Sequence, residues 1–115
     1  MDYRRELLKG NIQTLVLAVL SDAPRHGYSI AQEILRRSGD TLRFGEGSIY
    51  PALHTLEREE LIVGEWETPQ TGPARKVYRL TEKGLLEFAA RKQTWTDFAR
   101  TIDRVIGDSP DAQPI

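Results

Sequence analysis

The residues best suited to chemistry lie in one stretch, "GEGSIYPALHTLEREEL", from Gly45 to Leu61. It carries Ser48, Tyr50, His54, Thr55 and Arg58, all able to hydrogen-bond or to meet an anion. Ile49, Leu53, Leu56 and Glu60 recur at helical spacing, and the three aliphatics define an opposite, buried side. Pro51 limits where the helix begins. A proline lacks the N–H that a helix interior requires, whereas the first turn has no partner for those groups. A start near Gly47 or Ser48 is therefore expected, with Ser48 as cap. The free N–H groups of that turn, beside the Ser48 and Tyr50 hydroxyls, suit a phosphate.

Catalysis finds little support. His26 and His54 are the two histidines, and neither has a cysteine or a carboxylate pair beside it in the chain. "HGYS" lacks the flanking order of a nucleophile elbow. "GEGS" is not followed by Lys-Ser/Thr and is no phosphate loop. No spacing suggests a metal site. Catalytic residues, metal ligands and cofactors are all expected to be absent, and the protein is read as a non-enzyme.

The elements that must position the polar stretch follow from periodicity. Leu8, Ile12, Leu15, Val16, Val19 and Leu20 predict a first helix from about Arg4 to Leu20. "SDAPRHG" breaks it. "YSIAQEILRRSG" predicts a second helix with Ile30, Ala31, Ile34 and Leu35 inward. Arg36 and Arg37 stand at its negative end, and Gly39 just beyond it. The Gly45–Leu61 stretch is the third. "LIVGEWET" and "ARKVYRLT" then switch to strand-like alternation around the turn-forming "PQTGP", predicting a two-stranded hairpin. Trp66 and Tyr78 are read as hairpin packing. Thr81 is a suitable N-cap for a last helix from Glu82 to about Ile106. Its stripe of Leu85, Phe88, Lys92, Trp95, Ala99, Ile102 and Ile106 is longer than a small domain needs for its own core.

The bulk numbers bound these readings. The chain has 115 residues, 39% hydrophobic, enough for one domain with a modest core. Its longest apolar run, Leu15 to Leu20, is far too short to span a bilayer. Sixteen basic and 17 acidic residues leave a net charge of −1, so any basic face must be sorted out by the fold. The absence of cysteine excludes disulfides and thiolate metal sites. The charged N-terminus has no apolar signal core, and a cytoplasmic location is expected.

Three helices, a hairpin and a long helix give a mainly α fold with a small β-hairpin, in the order of a winged helix-turn-helix. In such modules the third helix enters the major groove. Ser48 and Tyr50 would then meet the phosphate backbone, and His54, Thr55 and Arg58 bases or sugars. Arg75 and Lys76, near the wing tip, would meet backbone or minor groove, with Arg4, Arg5 and Lys9 as flanking phosphate contacts. Blander readings stand beside these: Tyr50 as a half-buried aromatic, and Arg58 in a solvated ion pair with Glu57, Glu59 or Glu60.

"LLKGNIQTLVLAVLSDAPRHGYSIAQEI", "EGSIYPALHTLEREELI" and "RKVYRLTEKG", in this order and at these separations, resemble the PadR family of bacterial transcriptional regulators, over about Leu7 to Gly84. The short chain with a tryptophan on its last helix resembles the smaller subgroup. The resemblance implies a homodimeric repressor that binds an inverted repeat, often in its own promoter. It implies a DNA-binding domain over residues 1–81 and a dimerisation helix over 82–107, while "GDSPDAQPI", with turn formers and few apolar residues, is read as a flexible tail over 108–115. Leu85, Phe88, Trp95, Ala99, Ile102 and Ile106 would form the dimer. A small aromatic or planar effector would bind between protomers at Trp95. Trp95 as plain dimer packing is the competing reading, making a ligand-independent regulator. The near-neutral charge supports a further alternative, a winged helix used as a protein-interaction module. Pro73 and Ala74 stand where many family members carry basic or polar wing residues, leaving Arg75 and Lys76 to carry the wing's contacts.

Overall fold

The computed structural model describes residues 10–107. The elements are α1 (Ile12–Leu20), β1 (Arg25–His26), α2 (Gly27–Arg37), α3 (Glu46–Arg58), β2 (Ile62–Glu67), β3 (Arg75–Leu80) and α4 (Glu82–Ile106). The expected start of the first helix at Arg4, the flanking cations Arg4, Arg5 and Lys9, and the tail over 108–115 lie outside the described residues.

The winged helix forms because each element turns one apolar side inward. Val16, Leu17 and Leu20 of α1, Ile30 and Ile34 of α2, and Ile49, Leu53 and Leu56 of α3 meet with Ile62 and Tyr78 of the sheet, all at most 4% exposed. Burying each such aliphatic contributes about 1.5–3 kcal/mol. Two helices end on the same device. At α2, Gly39 N–H donates to the Arg36 carbonyl and Asp40 N–H to that of Leu35. At α3, Glu60 N–H donates to the Glu57 carbonyl and Leu61 N–H to that of Leu56. Each pair satisfies two carbonyls that the helix leaves open. The left-handed position is Gly39 in the first case, but Glu60 in the second, at φ 62°.

Four expectations need correction. The wing is not two-stranded: β1 joins it, giving an antiparallel sheet ordered β1-β3-β2 among the described residues, with Arg25 opposite Tyr78 and His26 opposite Val77. A two-residue strand is too short to leave a periodic signal. Gly10 and Asn11 form a turn, so α1 begins at Ile12 rather than running through from Arg4. The third helix starts at Glu46 with Gly45 as its cap, so Ser48 lies inside the first turn and Pro51 inside the helix. Pro51 deprives Gly47 of its helical donor, and Gly47 is exposed, so solvent can serve its carbonyl. Trp66 is 70% exposed and does not pack the hairpin. Tyr78, 4% exposed, does.

The last helix has the expected bounds. The Thr81 hydroxyl accepts from Gly84 N–H at 3.0 Å and donates to the Glu60 carbonyl at 2.7 Å, so the cap also pins the helix to the end of α3. Gly84 is buried so tightly that a Cβ there would collide with the Leu61 carbonyl. Phe88 packs against the core. Beyond it α4 leaves the winged helix, and its 25 residues, at about 1.5 Å each, make a rod of about 37 Å. No described helix is long and apolar enough to cross a membrane.

Candidate nucleic-acid interface

The exposed side of α3 and the wing enclose an open groove of about 410 Å³. Tyr50 and His54 of α3 line it, with Trp66 of β2, Lys76 and Tyr78 of β3 and Arg75 at the wing's open end. His26 of β1 and Gly27 and Tyr28 of α2 complete it, and no carboxylate is among its lining residues. Its formal charges are Arg75 and Lys76, and carboxylates stand close behind them, Glu57 paired with Lys76 and Glu67 opposite Arg75 in the sheet. Arg75 is the cation left to meet a polyanion.

Each side chain is held by its element. Tyr50 is half-buried, and its ring lies on the first residue of α2: a Cβ on Gly27 would sit 2.9 Å from the Tyr50 hydroxyl oxygen. The blander reading of Tyr50 thus holds for the ring, while its edge still faces the groove. Lys76 reaches across Gly64, where a Cβ would collide with its stem, and pairs with Glu57 of α3 at 3.2 Å. Its ammonium lies 5.4 Å from the Tyr78 ring centroid. Lys76 therefore links wing to helix. Burial, then the Glu57 carboxylate, pushes the Tyr78 phenol above its ordinary range. His26 Nε2 lies 3.4 Å from Oε1 of Glu67 on β2, across the intervening β3, and Arg79 pairs with Glu65 at 2.9 Å on the wing's outer face. Arg75 has no ion-pair partner among the described residues.

The other sequence candidates lie elsewhere on α3. Ser48 and Arg58 are exposed near its two ends, Thr55 is half-buried, and none of the three lines the groove. The ion pair weighed for Arg58 does not form among the described residues. Sequence reasoning missed His26, Tyr28 and Trp66. The alternation of β2 could have found Trp66, which shares a face with Ile62 and Gly64.

A cluster behind the groove fixes the start of α2. Arg25 donates to the Val19 carbonyl at 2.8 Å and pairs with Asp22 at 3.2 Å, and Arg37 reaches Asp22 at 2.6 Å. Glu33 pairs with Arg36 and, at 2.8 Å, with Arg37. Hydrogen bonds from Arg36, then Arg37, hold the Glu33 carboxyl down from the ordinary 4.5 to about 2.

A second concavity, about 660 Å³, lies between the distal part of α4 and the start of α1. Trp95, Phe98 and Ile102 line one side, and Gly10, Asn11 and Thr14 the other. The Trp95 and Phe98 rings stack with centroids 6.0 Å apart. Leu85, Trp95, Phe98 and Ile106 are between 50% and 60% exposed. Phe98 was absent from the expected stripe. Phe88, which was in it, packs on the chain's own core. Among the described residues, no group of three histidines or carboxylates could hold a metal ion.

A polar third helix beside a wing is the arrangement by which DNA-binding helix-turn-helix modules enter the major groove. The comparisons with known proteins agree. Residues 16–90 match the transcriptional regulator PadR-like family. The transcriptional regulator Rv3488 of Mycobacterium tuberculosis is 31% identical over 98 residues, covering 85% of this chain and 88% of that protein. The crystal structure of the PadR-like transcriptional regulator BC4206 from Bacillus cereus superposes with a TM-score of 0.75 at 30% identity, covering 90% of this chain and 99% of the other. A transcriptional regulator from Clostridium thermocellum, 20% identical, shares the fold with a TM-score of 0.81 over 89% of this chain and 96% of the other. The chain belongs to the PadR-like family of transcriptional regulators. Its members regulate by binding DNA and are not enzymes.

Proposed function

We propose that the protein is a cytoplasmic homodimeric repressor that binds an inverted repeat, its own promoter among the targets, and is released by a small aromatic or planar effector. The observation that carries this reading is the distal half of α4. It holds Trp95, Phe98, Ile102 and Ile106 on a helix that has left its own core, and such a stripe calls for a second copy. In this reading Leu85, Trp95, Ala99, Ile102 and Ile106 pack the dimer, with Phe88 bracing them from the core. Residues 1–81 then form the DNA-binding domain, 82–107 the dimerisation helix and 108–115 a tail. Two α3 helices face one side of the duplex, about 34–36 Å apart. Tyr50 and Ser48 take phosphates, His54, Thr55 and Arg58 reach bases or sugars, and Arg75 and Lys76 serve the wing.

The concavity beside Trp95 is of a size that takes a small ligand. A ligand seated there releases DNA only by binding better to a dimer whose α3 helices are wrongly spaced. The test is a gel-shift titration of the gene's own upstream duplex, with stoichiometry read from sedimentation. Two protomers per duplex and release by a planar aromatic compound are expected. One protomer per duplex, or ligand binding without loss of DNA affinity, contradicts the dimer or the switch respectively. The Trp95–Phe98 stack favours a second reading, in which Trp95 is dimer core alone. Trp95→Phe then leaves every response to small molecules unchanged.

A further inference from the structure

Trp66 is the largest side chain in the groove, and nothing in the described chain covers it. Its position in the strand makes this unusual. β2 places Ile62, Gly64 and Trp66 on one face, opposite Leu80, Tyr78 and Lys76 of β3. At the inner end of that face Ile62 and Tyr78 are 2% and 4% exposed. Trp66 continues the face past the edge of the core and is 70% exposed. An indole left in water contributes little of the burial energy that its inner neighbours supply. Its place in the groove leaves it available to a contact outside the chain.

The groove's chemistry indicates what makes that contact. Lys76 stands opposite Trp66 on the same face of the sheet and His54 of α3 lines the same groove, whereas Arg75, opposite Glu67, and His26, opposite Val77, belong to the sheet's other face at the groove's edge. Lys76 is already paired with Glu57 at 3.2 Å, so it is poorly placed to supply this wall with an unshared cation. What Trp66 offers instead is a flat apolar face and a donor-only N–H. A deoxyribose has an apolar face, and the phosphates on either side of it accept hydrogen bonds.

Accepting the reading of this groove as the DNA interface, we propose that Trp66 is a DNA-contact residue. Its ring lies against the sugar–phosphate backbone that passes between α3 and the wing, and its N–H donates to a phosphate oxygen. The contact involves no charged side chain and releases no counterion, so it strengthens binding without adding to the salt dependence. Arg75 works in the opposite way.

The chain has two tryptophans, Trp66 and Trp95, which makes the test direct. In Trp95→Phe, which keeps a ring on the α4 stripe, all indole emission comes from Trp66. Adding the gene's upstream duplex should quench or shift it. In the otherwise unaltered protein, Trp66→Ala should weaken binding to that duplex about fivefold, the lower end for an aromatic contact with nucleic acid, with the salt slope unchanged. Trp66→Phe should recover most of the loss. Arg75→Ala should lower the slope by about one unit. Melting midpoints of the Trp66 variants should match the parent, as expected for an exposed side chain. Full affinity in Trp66→Ala with silent Trp66 emission, while Arg75→Ala still weakens binding, overturns the proposal and leaves the interface standing. Emission that changes on concentrating the protein without DNA assigns Trp66 to contact between copies and also overturns it. Failure of the unaltered protein to bind any duplex removes the interface reading itself, and this proposal with it.

Discussion

The winged helix and the far half of α4 treat their apolar residues in opposite ways. From α1 to β3 nearly every aliphatic on an inward face is buried, and Val16, Leu17, Ile30 and Leu56 have no exposed surface at all. On α4 the inward period continues after the core has ended. Ile102 is 37% exposed, Trp95 50% and Val105 81%. The first region covers its apolar side within the chain. The second leaves its stripe uncovered, and in the dimer proposed above a second copy covers it. The boundary is physical: Gly84 seats the helix against the Leu61 carbonyl, Phe88 closes the core, and Arg91 reaches Gln13 at 3.0 Å. Mutations on either side of it should therefore read out in different experiments.

The largest effect should come from the core. Leu53→Ala should cost about 2–5 kcal/mol of stability, through lost burial and the cavity left behind. Chemical denaturation measures it, and the loss should not depend on protein concentration. Phe98→Ala should sharpen the contrast. It should leave the fold of each protomer intact and weaken association by an order of magnitude or so, the effect of losing about 1–2 kcal/mol at an interface. Sedimentation at several concentrations should show this. A cooperative loss of helix in Phe98→Ala, with no change in association, would mean that the stripe belongs to the protomer's own core.

Two smaller effects test how the winged helix holds its shape. Glu60→Gly should raise stability by about 0.5–1 kcal/mol, since Glu60 sits at φ 62° where glycine is unstrained. The Asp22–Glu33 cluster should make stability depend on pH. The Glu33 carboxyl titrates near 2 when folded and at the ordinary 4.5 when unfolded. Its stabilising contribution is present above about 4.5 and is lost as pH falls towards 2. Glu33→Gln should flatten the decline in melting temperature across that window. An equal decline in both proteins would place the acid sensitivity elsewhere.

Much of this was legible in the sequence, for reasons tied to length. α2 and α4 are long enough for the 3.6 period to stand out, and Thr81 and Gly39 mark their ends chemically. β1 was invisible because two residues carry no period. The start of α3 was misplaced because Pro51 was confined to a first turn, whereas glycine at positions 45 and 47 lets the helix begin earlier and leaves the orphaned carbonyl in water. Lys76 was picked out as a cation near the wing tip, but its pairing with Glu57 depends on the missing side chain of Gly64, a long-range fact. Trp66 was assigned to packing because its alternation is correct. What alternation cannot reveal is where the core stops.

The most direct test of the central claim is fluorescence anisotropy of the gene's upstream duplex against a scrambled duplex, at two salt concentrations. The account predicts tight binding to the native sequence, a clear preference over the scrambled one, and a steep loss of affinity with salt. Weak binding, equal on the two duplexes and indifferent to salt, would contradict it and make the groove a site for a protein partner.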